Sequence, residues 1–262
     1  MRIAESIRLL LRNPRQFLAS RLQHSPFFLQ SQMDINPTSR WHNPEFIALT
    51  HGFFPTGADP SAATRHIRDL EPWDNVRRDM LILLLRTIET SGTEGDFVEV
   101  GVYKGLTAKL IHDYSPARSL HLFDTFEGFT NRGTASELRS TQTPVASSQF
   151  SDTSLESVVA YVSPQNNNVV VHPGYFPDSI PDGFGQRKFA FVHLDADLYE
   201  PVSEGLRFFY PRMSDKGIIV VHDYNGWQGA RRAVDDFVRD KTESAIPMPD
   251  KTGSAVIVKQ GR

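Results

Sequence analysis

"DFVEVGVYKGLTAKLI", residues 96–111, is the stretch on which the reading of the fold turns. Phe97, Val98 and Val100 make a short apolar run, Gly101 and Gly105 interrupt it, and Leu106, Leu110 and Ile111 resume at helical spacing. That is a strand, a glycine turn and a helix. Glycine lets the backbone pass close to a ligand, and a helix N-terminus favours negative charge. The spacing is G-x-x-x-G rather than the dinucleotide G-x-G-x-x-G, so a tight turn with no ligand reads the same way.

Outward from this unit, apolar runs alternate with helical stretches. The runs are "DFVEV" (96–100), "SLHLF" (119–123), "NVVVH" (168–172), "KFAFVHL" (188–194) and "GIIVV" (217–221). Helix candidates lie at 68–92, ending at Gly92, and near 104–113, 153–162, 199–212 and 227–239. Such alternation predicts a mostly parallel, doubly wound α/β sheet, with strands buried on both faces because polar residues do not alternate with apolar ones. The tail "SAIPMPDKTGSAVIVKQ" has two strand-like pieces about a turn at Asp250–Gly253, which predicts a C-terminal antiparallel hairpin. Residues 68–262 are assigned to this domain. Residues 1–67, rich in Pro, Asn, Ser and aromatics after a basic helical start, are read as an N-terminal helix and loop extension, a lid or an oligomer contact.

Composition narrows the partners. The chain has 262 residues and a formal net charge of −3, which gives no field for steering onto nucleic acid. It has no cysteine, so disulfides, thiolate metal sites and cysteine nucleophiles are excluded, and any metal must be held by Asp, Glu, His or carbonyl oxygen. No apolar run approaches the ~20 residues of a membrane span. Arg8 and Arg12 break the first apolar stretch, and no small-residue cleavage site follows it, so no signal peptide is read. The expectation is a cytoplasmic protein. The first helix is expected to pack on the domain or on a second subunit, with a basic helix on a membrane surface as the alternative.

Two acids give the glycine turn meaning. Glu99 ends the first strand, and Asp124, in "HLFDTFEGF", ends the second. An acid at the tip of the second strand is where nucleotide-binding α/β folds grip a ribose diol. Glu99 would repel a pyrophosphate but suits the ammonium and sulfonium of S-adenosylmethionine, which favours that cofactor over NAD.

"DFVEVGVYKG", "LFDTFEGF", "HPGYFPDSIP", "FVHLDADLYEP" and "VHDYNGWQGARRAVDDF" occur in that order. The order resembles the macrocin O-methyltransferase family, over residues 68–260. The resemblance implies a Rossmann-like S-adenosylmethionine methyltransferase that uses magnesium to methylate sugar hydroxyls, in natural-product or polysaccharide biosynthesis. It implies that Glu99, Gly101, Tyr103, Gly105 and Thr107 line the methionine part of the cofactor. Asp124, with Thr125 beside it, would hold the ribose, and Asp195 would border the same cleft. Asp152, in "SDTSLESV", would accept from the adenine amine; the alternative for Ser151 or Asp152 is a helix N-cap.

Asp195 and Asp197 follow the fourth strand, and Asp223 follows the fifth. Together with Glu99 and Asp124, these acids are expected on one rim of the sheet, an arrangement that is unfavourable without positive charge. Magnesium, or another divalent cation, answers this. It takes one or two carboxylates and substrate oxygens, which makes Asp195 and Asp223 its expected ligands. Asp197 is then free to act as general base. The alternative is that these acids only cap turns and helices.

The resembling family has two adjacent aspartates where this chain has His222–Asp223. His222 is therefore a third metal ligand, an acid/base or substrate-contact group, or a strand-end histidine held by a hydrogen bond. His193 reads as a hydrogen-bonded core residue. Tyr175, Tyr224 and Trp227 could stack on a sugar or simply pack. The expected partner is a small hydroxylated acceptor, a sugar, in a homo-oligomer. The competing readings are methylation of a catechol-like diol and a non-catalytic S-adenosylmethionine binder.

Overall fold

Strand β1 (Asp96–Val100) runs into Gly101 because there is no room for a side chain there. Gly101 has φ +84°, and a Cβ on it would run into the carbonyl of Asp195, the residue just past strand β4 (Phe189–Leu194). The Asp195 N–H donates to the Val100 carbonyl at 2.7 Å, which ties the two strand ends together. The computed structural model in which this contact sits describes residues 74–165 and 167–261. The expectations placed on residues 1–67, and the start of the 68–92 helix, lie outside the described residues.

β1 pairs in parallel with β2 (Leu120–Asp124) on one side and with β4 on the other. β3 (Val169–Pro173) extends the sheet beyond β2, and β5 (Met213–Val221) extends it beyond β4, both in parallel. β7 (Ala255–Val258) runs antiparallel to β5, and the short β6 (Ile246–Pro247) runs antiparallel to β7. The described order is therefore β3-β2-β1-β4-β5-β7-β6. Strand order reverses between β1 and β4, and a crevice opens at the carboxyl ends of such a pair. This is the expected doubly wound sheet with its C-terminal hairpin.

The helices are α1 (Asn75–Ser91), α2 (Leu106–Tyr114), α3 (Asn131–Thr141), α4 (Leu155–Val162), α5 (Tyr199–Phe209) and α6 (Gln228–Val238). α1 packs on α2 and α2 on α4, whereas α5 packs on both α6 and α3, so each face of the sheet is covered. β2 and β4 are accordingly buried along nearly their whole length, while β3, at the edge, is half-exposed. Phe123, Phe176, Phe184, Phe189 and Phe209 interlock beneath α5, with neighbouring ring centroids 5.1 to 5.8 Å apart. Aromatic pairs of this kind add about 0.5–1.5 kcal/mol each beyond their buried area.

Boundaries moved for local reasons. α2 starts at Leu106 because Gly105, left-handed at φ +81°, is its N-cap. α4 starts at Leu155 because Ser154 forms a capping box with Ser157; the cap is neither Ser151 nor Asp152. The expected 199–212 helix ends at Phe209 and passes into a 3₁₀ turn, Tyr210–Arg212, that contains Pro211. β5 begins at Met213 rather than at 217.

α3 was not foreseen. Its buried residues are Gly133, Ser136 and Glu137, so it carries no apolar stripe to read. Glu137, 1% exposed, accepts from the Tyr199 N–H at 2.8 Å and from the Thr141 hydroxyl at 3.1 Å. The carboxylate sits at the positive start of α5, two residues past Asp197, and so fixes where the Asp195–Asp197 loop ends.

Candidate active site

The carboxyl ends of β1, β2, β4 and β5 wall one cleft. Its lining includes Arg77, Glu99, Gly101, Tyr103, Thr107, Asp124, Thr125, Asp195, Asp197, His222 and Asp223. Gly174, Tyr175 and Phe176, from "HPGYFPDSIP", close another side. Two expected cofactor residues are not in this wall. A Cβ on Gly105 would come within 2.7 Å of Val162, so this glycine is needed to seat α4. Asp152 is turned to the surface, where it accepts from the Tyr103 hydroxyl and from Lys104 Nζ, each at 2.6 Å. It clamps the loop before α4 onto the glycine turn, and it is not the helix N-cap that was the alternative for it.

Glu99 and His193 are cross-strand partners on β1 and β4. Both are buried, and His193 Nδ1 lies 2.9 Å from Glu99 Oε1. Burial pushes the His193 pKa down to about 3, so the ring is neutral and acts as the core hydrogen-bonding residue expected of it.

Asp124 does more than stand at a strand tip. Its Oδ2 accepts from the N–H groups of Val102 (2.6 Å) and Tyr103 (2.9 Å), and its Oδ1 accepts from Phe126 (2.7 Å). Three of about four acceptor positions of the carboxylate are therefore used to hold the glycine turn, and one is left for a ligand hydroxyl. Nearby, Tyr103, Phe150, Phe129 and Trp227 form an edge-on aromatic row, with centroids 5.1, 5.2 and 5.8 Å apart. Phe129 and Phe150 line the cleft, whereas Trp227 and Tyr224 do not; the Tyr224 hydroxyl donates to Asp235 at 2.8 Å. Sequence reading missed both phenylalanines, which lie outside any periodic segment.

The acid cluster is assembled by β4 and β5. Asp195 Oδ1 faces His222 Nδ1 at 2.8 Å, and His222 Nε2 lies 3.3 Å from the Thr252 hydroxyl, in the hairpin turn. Asp195 Oδ2 accepts from Arg77 at 2.6 Å, and the same guanidinium nitrogen donates to Thr107 at 3.0 Å. Arg77 had no sequence signal, because an arginine on an amphipathic helix reads as a solvent-facing residue. Asp197 and Asp223 both adopt left-handed backbone, at φ 58° and 56°. Non-glycine residues pay for that conformation, and it concentrates at functional sites.

Electrostatics follow from this packing. Burial, then the Asp195 and Asp223 carboxylates, push the Asp197 pKa well above the ordinary range. Burial works the same way on Asp195, but His222 and Arg77 outweigh it and hold that group low. Burial opposes charge on His222 too, yet the Asp195 and Asp223 carboxylates raise it to about 10.

The donor set fits a divalent cation. Asp195, His222 and Asp223 each offer a ligand atom, all within 4.8 Å of one another. Asp223 Oδ1 is buried and has no hydrogen-bond partner, and burial and the neighbouring carboxylates disfavour the charged form of Asp197. One ion would satisfy the first and relieve the second. The third donor is an imidazole, less suited to magnesium than a carboxylate, and it must lose a proton before it can bind.

Comparison with known proteins agrees with this layout. A family model described as macrocin-O-methyltransferase (TylF) matches residues 74–257. The chain is 29% identical, over 189 residues, to 8-demethyl-8-(2,3-dimethoxy-alpha-L-rhamnosyl)-tetracenomycin-C 4'-O-methyltransferase of Streptomyces olivaceus, covering 69% of this chain and 71% of that protein. It is 26% identical over 161 residues to demethyldecarbamoylnovobiocin O-methyltransferase of Streptomyces niveus, covering 55% and 58%. Among solved structures, the O-methyltransferase NovP superposes with a TM-score of 0.59 at 22% identity, over 74% of this chain and 80% of that one, and so shares the fold.

Proposed function

Because the chain belongs to the macrocin O-methyltransferase family, and so is an O-methyltransferase, we propose that it carries the methyl group of S-adenosylmethionine to a hydroxyl of a sugar or glycoside, aided by a divalent cation. The observation that carries this reading is that the acids at the tips of β1, β2, β4 and β5 line a single cleft at the reversal of strand order. A sugar is favoured because the more similar of the two relatives is named for a rhamnosyl-bearing acceptor.

Each residue then has a task. Gly101 lets the ends of β1 and β4 close on each other at the cleft floor, and Glu99 offers a buried negative charge to the cofactor's ammonium. Asp124 accepts from one ribose hydroxyl with its remaining lone pair while it holds the turn in shape. Asp195, Asp223 and a neutral His222 would hold the cation. When bound, that ion supplies positive charge that acidifies an acceptor hydroxyl and lets Asp197 ionise. Asp197 takes the hydroxyl proton. The freed oxygen forms the new O–CH₃ bond as the S–CH₃ bond breaks, and the electron pair stays on the departing thioether sulfur. Orientation in the cleft supplies proximity.

The test is ligand-dependent melting. S-adenosylmethionine and its demethylated product are expected to raise the melting temperature by binding the native state, and NAD is expected to leave it unchanged. Asp124→Ala is expected to lose most of that shift, because it removes both the ribose acceptor and the staple on the glycine turn. A shift from NAD equal to that from S-adenosylmethionine would overturn the cofactor assignment.

A further inference from the structure

We propose that Arg77 is a cation that competes for the metal site: its guanidinium neutralises Asp195, and a divalent ion enters by displacing it. The inference rests on the reading that Asp195, His222 and Asp223 hold such an ion. The position of Arg77 is built rather than incidental. Asp74, the N-cap of α1, accepts from the Arg77 N–H at 3.0 Å with one oxygen and from the Lys251 N–H at 2.9 Å with the other. The first turn of α1 is thereby pinned to the hairpin turn whose Thr252 meets His222. From this fixed backbone the side chain, only 11% exposed, lays its guanidinium on Asp195 Oδ2 at 2.6 Å.

Asp195 is consequently engaged on both oxygens, by Arg77 on one and His222 on the other. The two partners differ in kind. An imidazole can give up its proton and become a ligand, but a guanidinium stays charged at any working pH. An incoming cation that uses Asp195 therefore meets a permanent like charge on one of its own ligands, in a poorly solvated cleft where that repulsion is little screened. Thr107, 3.0 Å from the same nitrogen, gives the displaced group a neighbouring acceptor to keep, so it can yield without leaving the wall. On this reading Arg77 sets how weakly the site holds metal. It is a positioning residue, because it acts through Asp195.

The experiment is titration of the full chain with Mn²⁺, with the free ion followed by its electron paramagnetic resonance signal. Arg77→Gln is expected to bind Mn²⁺ at least about ten-fold more tightly than the parent, since it removes one like charge beside the ion. Arg77→Lys keeps the charge and is expected to stay within a few-fold of the parent, which a purely structural role would not require. If Arg77→Gln does not fold, Arg77→Met keeps the stem packing without the charge and carries the same expectation. Equal or weaker Mn²⁺ binding in the uncharged variant, with Asp223→Asn abolishing binding in both backgrounds, would overturn the role of Arg77 and leave the metal site standing. Absence of binding in both the parent and the uncharged variant would overturn the metal site, and this proposal with it.

Discussion

Asp197→Asn is expected to lower turnover by about two to four orders of magnitude, the usual worth of a general base, with little change in cofactor affinity and a weaker hold on the ion whose binding favours the ionised carboxylate. Asparagine suits the position in every other respect. It tolerates the left-handed backbone that Asp197 adopts at φ 58°, and it fills the same space in a buried site. It cannot take the acceptor's proton. It also removes a carboxyl whose charged form is disfavoured by burial and by two neighbouring carboxylates, so the variant is expected to melt no lower than the parent. Single-turnover rates with cofactor and metal saturating, read beside a melting curve, check both halves. A variant as fast as the parent would remove Asp197 from the chemistry.

The second large effect is expected at Asp223. Asp223→Asn should lose about three decades of turnover and nearly all response to added magnesium, because the Lewis-acid contribution of a bound ion is worth several kcal/mol. The substitution is chosen for the backbone, since alanine is strained at φ 56° and asparagine is not. S-adenosylmethionine should still raise the melting temperature of this variant, because Glu99 and Asp124 lie on other strands. A chelator should silence the parent, and magnesium should restore it. Full activity of the parent in chelator would mean that Asp195, His222 and Asp223 serve some purpose other than holding a cation.

Much of the frame could be read from the chain, because strands buried on both faces leave uninterrupted apolar runs. "DFVEV" and "KFAFVHL" are central strands of the sheet, and the acids that follow them had to fall on one rim. What could not be read depends on contacts between distant segments. α3 buries glycine, serine and glutamate rather than an apolar stripe, and it is recognisable only once Glu137 is seen against the Tyr199 N–H. Arg77 and Asp195 are 118 residues apart, and nothing local marks that arginine as inward-facing. For Asp152 the capping alternative fails: "SDTSLESV" does open a helix, but the cap is Ser154, and the aspartate accepts from Tyr103 and Lys104. At Gly105 the sequence shows only that a side chain is excluded. Here the excluding neighbour is Val162.

The histidine at position 222 was legible as a departure, but its environment was not. It is set between Asp195 and Thr252, with Asp223 Oδ2 also 3.4 Å from its Nδ1. Held charged by those carboxylates, it is a strand-end hydrogen-bonding residue, and it would have to lose a proton before serving as the third ligand proposed above.

The most direct measurement of the central claim is methyl transfer itself. The full chain is incubated with isotopically methyl-labelled S-adenosylmethionine, magnesium and a panel of rhamnosides, other deoxyhexosides and catechols, and the products are read by mass spectrometry. The account predicts a single labelled methyl on a sugar hydroxyl of at least one glycoside, lost in Asp197→Asn and in chelator. Label on a catechol and on no sugar, or bound cofactor with no transfer to any acceptor while the protein is folded and metal-loaded, would contradict it.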